Sequence, residues 1–154
     1  MLNATSDQPT RTLGAATITR ACLCLSIIVC GLALRKFGLG LRLPSGLVKY
    51  GGSMLWGTMV FFLVAMAAPG QPRWRMALIS ALLAVCVELF RLVHTPWLDD
   101  FRLTTAGALL LGRVFSPWNM LAYGVGIMLG MILDRLGTSA FTRLSAQHSP
   151  HSAS

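Results

Sequence analysis

Four long apolar runs dominate the chain, each bounded by charge or by helix-breaking residues. They cover about Leu13 to Leu34, Gly51 to Ala68, Met76 to Val93 and Trp118 to Leu133. A bilayer core of about 30 Å needs roughly 20 consecutive apolar residues in helical form, and lipid leaves no other way for an unpaired backbone to cross. The pattern predicts an all-α integral membrane bundle of about four transmembrane helices. The first run has a clean core only between Arg20 and Arg35, so Arg20 is expected to snorkel to the interface or the bilayer to thin. It ends in Leu34, Arg35 and Lys36 without a small-residue cleavage site, which reads as a retained helix and not a signal peptide.

The second run holds no charge and is closed by Pro69, Gly70 and Pro72. The third is apolar until Glu88 and ends before Pro96. The fourth is expected to start at Ser116 as N-cap with Pro117 at the first helical position, and to place Trp118 and Tyr123 toward the interface. Between the last two runs, Thr104 to Leu111 is apolar but too short to cross, so a short interfacial or re-entrant helix is expected before the last span. Residues 13–136 then form the membrane domain. The polar segments 1–12 and 137–154 are expected to be disordered tails, since they have little apolar area to bury.

Composition agrees with the pattern. Of 154 residues, 55% are hydrophobic and 12% charged, with a mean hydropathy of +0.66, more apolar than a soluble fold can hide. The net charge of +8 would suggest nucleic acid in a soluble protein. Here Arg20, Arg35, Lys36, Arg73, Arg75, Arg113 and Arg135 flank the apolar runs, which excludes nucleic acid as partner and points to the bilayer and its anionic head groups. Four spans put both termini on one side with Arg11, Arg20, Arg73, Arg75, Arg135 and Arg143, against seven basic residues opposite. Discounting Arg91, Arg102 and Arg113 as parts of an internal site leaves six against four, and the positive-inside rule then places both termini in the cytoplasm.

Few residues offer chemistry. Cys22, Cys24, Cys30 and Cys86 lie inside apolar runs without metal-ligand spacing and read as small buried hydrophobes. His148 and His151 belong to the polar tail, and no HExxH or DxD motif accompanies His94, so neither a metal nor another cofactor is expected. Ala122, Gly126 and Gly130 recur every four residues, a small-residue face suited to close helix packing within the monomer or across a homo-oligomer.

The informative segment is Glu88 to Arg113, which concentrates three of the five acidic residues and three Arg in apolar surroundings. A charge at bilayer centre costs on the order of 2.5 to 3.5 kcal/mol even on the lenient insertion scale, so it needs a partner. Glu88 and Arg91 share a helical face and can neutralise one another near a helix end. With Lys49, His94, Trp97, Asp99 and Arg102 they form a candidate polar site offering acid, base, anion clamp and aromatic platform. Glu88 needs a second donor, and Arg102 is expected to return to it, under a roof formed by Pro96 to Leu111 with Trp97 at the rim.

Two blocks, VKYGGSMLWGTMVFFL from Val48 to Leu63 and ELFRLVHTPWLDDFRLTTAGALLLGRVFSPWNMLAYGVG from Glu88 to Gly126, resemble an uncharacterised bacterial membrane family, the domain of unknown function 2809 group. More distantly the chain is similar to VanZ-like proteins. Lys49, Tyr50, Gly51, Glu88, Pro96, Trp97, Leu98, Arg102, Thr104, Gly112, Ala122, Tyr123 and Gly126 fit the family pattern. Ser53 and Asn119 stand where acidic residues are expected, and Arg91 where Gln is usual. The resemblance implies four helices and a bacterial cytoplasmic membrane, and no assigned activity.

Two functions from different classes are compatible with these residues. The leading one is a non-enzymatic envelope or membrane-organising protein. The other is a small enzyme or carrier acting on a lipid-linked envelope precursor, with Arg102, Arg91 or Lys49 holding phosphate and Glu88 or Asp99 moving a proton.

Overall fold

In a computed structural model, the structure describes residues 8–38, 40–104, 107 and 116–147. Among these there are five helices and no strand. They are α1 (Gln8–Phe37), α2 (Ser45–Ala67), α3 (Arg73–Phe90), α4 (Pro96–Leu103) and α5 (Pro117–Gln147). Among the described residues three segments are long and apolar enough to cross a membrane: Ala16–Phe37, Ser45–Ala67 and Pro117–Ser139. The third apolar run forms α3, which is 18 residues long and carries Arg73, Arg75 and Glu88.

Several helices pass the bounds expected from hydropathy. α1 is helical from Gln8, the first described residue, inside the segment read as a tail. α2 starts at Ser45 directly after Pro44, six residues ahead of the apolar run, because Leu47 and Val48 extend its pattern. α5 continues to Gln147, since no proline follows Leu133 within it; Thr138 and Ser139 bond their hydroxyls back to the carbonyls of Asp134 and Arg135. α4 is a short helix ahead of the Thr104 to Leu111 stretch; that stretch, where a short helix was expected, lies outside the described residues apart from Thr104 and Gly107, as do Arg113, the first seven residues and the terminal histidines.

α2 is the centre of the bundle and packs against α1, α3 and α5. Val60, Phe61, Phe62, Val64 and Ala65 of α2 form the core with Cys24 and Ile27 of α1, Met76 of α3 and Ile127 of α5. Most of α1, by contrast, faces outward, with Ile18, Leu25, Val29 and Leu32 exposed. Cys22, Cys30 and Cys86 are exposed too, so only Cys24 is the buried thiol expected of all four.

The tightest approach is between α2 and α5. A Cβ on Gly57 would lie 2.7 Å from the Tyr123 carbonyl oxygen, and one on Gly126 would run into the Met54 carbonyl. A Cβ on Gly130 would meet the Phe61 ring at 2.8 Å. With the backbones this close, the Thr58 hydroxyl lies 2.8 Å from the Gly126 carbonyl and bonds across the interface. Gly70 makes the turn into α3 possible, with a φ of 92°.

Candidate functional site

The structure gathers its buried charge at the two ends of the bundle. At one end stands Glu88, near the C-terminus of α3 and completely buried. Its Oε1 accepts the backbone N–H of Ser116 at 2.8 Å and the Asn119 amide at 3.4 Å. Its Oε2 accepts the Tyr123 hydroxyl at 3.1 Å and pairs with Arg91 at 2.6 Å. Four donors therefore occupy the four acceptor positions of the carboxylate. Three of them come from the start of α5, where Glu88 satisfies the N–H of the residue preceding the first helical turn.

Asn119 extends this network to α2. The Ser53 hydroxyl lies 3.2 Å from both Asn119 Oδ1 and the Lys49 carbonyl and can donate to either. The two positions expected to be acidic, 53 and 119, are thus direct neighbours here, and a neutral hydroxyl–amide pair replaces charge beside a carboxylate that already has its cation. The Trp56 ring packs on Tyr123 with centroids 4.9 Å apart, closing the cluster on the α2 side.

Arg102 does not join Glu88. It is buried, and its guanidinium donates to the carbonyls of Phe90 at 2.7 Å and Val93 at 2.8 Å and to Asp99 Oδ1 at 3.0 Å. It therefore caps the end of α3, where carbonyls lack helical partners. Sequence spacing overlooked these carbonyls and the donors at the start of α5, which are nearer to Glu88 than α4 can bring Arg102. His94 Nδ1 sits 3.3 Å from Asp99 Oδ1, with both side chains largely open to the surface. Trp97 is 69% exposed and Lys49 is exposed, its ammonium over the Tyr50 ring. The expected site accordingly divides into a closed Glu88–Arg91 network, a capping group of Arg102, Asp99 and His94, and two surface residues, Trp97 and Lys49.

Tyr123, expected toward the interface, is buried inside the bundle with its hydroxyl on the Glu88 carboxylate. Trp118, five residues earlier on α5, is 65% exposed.

At the opposite end, Asp134 of α5 is buried between two arginines from different helices. Arg20 of α1 approaches it with a fork, Nε to Oδ1 at 2.7 Å and Nη2 to Oδ2 at 3.3 Å, while its Nη1 donates to the Ala65 carbonyl near the end of α2. Arg73 of α3 binds Oδ2 through Nε at 2.8 Å and reaches Thr138 at 2.9 Å. Arg20 therefore turns inward and does not snorkel. The signal for this group was present in the sequence: Asp134 is an acid at the end of an apolar run, and Arg20 interrupts another.

Between α3 and α5 lies one apolar crevice of about 100 Å³, lined by Ala81, Ala84, Val85, Met120, Tyr123, Gly124 and Ile127. Among the described residues no cluster of His, Cys, Asp and Glu has metal-ligand geometry.

The chain matches the model of a family described as a protein of unknown function, DUF2809, over residues 42–127, and it belongs to that family. The matched segment takes in α2, α3, α4 and the first third of α5, hence every residue of the Glu88 network, while Arg20 and Asp134 lie outside it. No solved structure matches the chain.

Proposed function

We propose that this member of the DUF2809 family is a non-enzymatic, four-crossing membrane protein in which the buried acids hold the helices in register and the basic rims face lipid head groups. The observation that carries this reading is the saturated carboxylate of Glu88. A general base needs a free lone pair directed at a substrate, whereas both oxygens of Glu88 are filled by the chain's own donors, and the crevice that Tyr123 lines between α3 and α5 is apolar. The enzyme or carrier alternative would have to open this network before Glu88 could move a proton.

A fourth crossing is supported by the ends of α3. Its first residue, Arg73, bonds Asp134, and Glu88 in its last turn bonds Ser116, so α3 runs antiparallel to α5 between two ties. Eighteen helical residues extend about 27 Å, close to the thickness of a bilayer core, and the stretch of α5 from Ser116 to Asp134 is as long. A helix fastened at both ends to a spanning neighbour of that length crosses the same layer.

The test is Glu88→Gln in purified full-length protein. A clamp predicts a lower unfolding temperature in detergent, because Arg91 loses its counter-charge. An unchanged melting curve would favour a carboxylate kept for chemistry.

A further inference from the structure

Around Asp134 positive charge is in surplus. Two guanidiniums share one carboxylate, so the group keeps one net positive charge, although Asp134 is wholly buried and Arg20 is only 8% exposed. Arg75 and Arg135 add to it at the same end of the bundle. Among the described residues the other acids, Glu88, Asp99 and Asp100, all belong to the opposite end.

Arg73 is the member of the group that faces out. Its side chain is 43% exposed; Nε is held by Asp134 and Nη2 by Thr138, while Nη1 has no partner among the described residues. Beside it Trp74 is 60% exposed, with the Arg75 guanidinium 5.3 Å from the ring centroid. The inner edge of the Arg73 guanidinium is thus fixed and its outer edge open, next to an aromatic ring of the kind that settles at head-group depth. A partly buried ion group of odd charge calls for a counter-ion. The anion a bilayer supplies at that depth is a lipid phosphate, which an arginine fork suits.

We propose that the Arg73 corner, backed by the Arg20–Asp134 pair, binds the phosphate of an anionic phospholipid and so completes the charge balance of this end of the bundle. The proposal rests on the reading that the chain lies in a bilayer, and it adds the lipid class and its site.

The experiment follows thermal unfolding of the full chain in a neutral detergent with added phosphatidylglycerol, phosphatidylcholine or inorganic phosphate. Phosphatidylglycerol should raise the midpoint most, and Arg73→Gln should raise the lipid concentration needed for the half-maximal shift about fivefold, the effect expected of one basic residue at a membrane surface. Lys36→Gln, at the far end, should respond as the wild type does. Arg73→Gln leaves Arg20 and Asp134 balanced and is expected to fold; if it does not, Arg73→Lys supplies the reading and should keep part of the response. An undiminished response in the Arg73 variant, or an equal loss in Lys36→Gln, overturns the site. Equal protection by inorganic phosphate overturns the lipid as its source. Failure of the wild type to insert into vesicles of either lipid would instead strike the membrane reading, which separates the two failures.

Discussion

Glu88 and Ser116 meet across two helices, the carboxylate of one accepting the backbone N–H of the other at 2.8 Å. The contact fixes where α5 begins relative to the end of α3, since a side chain from one helix satisfies a backbone group that helix geometry leaves free in the other. Tyr123, about two turns further along α5, binds the second carboxylate oxygen and keeps the rotation of α5 in register. A single acid thus sets both the height and the facing of α5.

Removal of the cation should be felt more than removal of a neutral donor. Arg91→Met leaves a buried carboxylate without its counter-charge and is expected to cost about 3 to 5 kcal/mol. Tyr123→Phe removes one hydrogen bond to a charged acceptor, about 1.5 to 3 kcal/mol. Chemical denaturation of both variants in detergent measures the order; a larger loss in Tyr123→Phe would mean that Arg91 is not the principal partner.

Glycines on one helix should differ sharply in tolerance. A methyl group at Gly126 meets the Met54 carbonyl and the Thr58 backbone nitrogen, which cannot move aside, while a Cβ at Gly124 meets nothing within 4 Å. Gly126→Ala should therefore destabilise by about 1 to 3 kcal/mol or more, and Gly124→Ala should melt like the wild type. Similar melting of the two variants would remove the close α2–α5 contact from the account.

Asp134→Asn should be the most damaging change at the other end. It leaves Arg20, buried, and Arg73 with no counter-charge, a loss of about 3 to 5 kcal/mol, whereas Arg73→Gln leaves one arginine with one carboxylate. Size-exclusion profiles and melting temperatures of the two variants should separate them. A well-folded Asp134→Asn would show that the arginines find water or lipid instead.

The all-helical plan was legible because uncharged runs of the required length have a single solution in lipid, and the start of α5 was legible from Ser116–Pro117. Glu88 and Arg91 were legible as a pair from helical spacing alone. Partners supplied by distant segments were not: Ser116 N–H is one of many identical backbone groups, and Asp134 gives no sign in sequence of which arginine it will bind. Arg102 and Asp99 were placed with Glu88 because all lie in one segment, yet the end of α3 presents its own carbonyls closer at hand. Orientation was read from charge in the same way. Arg20 is drawn inward just as Arg91 and Arg102 are, so the count of six against four becomes five against four.

In the four-crossing reading α3 spans the layer alongside α5, tied at each end by a buried acid. The most direct measurement is side-specific labelling with a membrane-impermeant maleimide, in a chain whose Cys22, Cys24, Cys30 and Cys86 are replaced by Ala. Single cysteines at Gln71 and at Asp100, both exposed and at opposite ends of α3, supply the two readings. A crossing α3 makes them label from opposite sides of sealed vesicles; labelling of both from the same side would contradict the crossing.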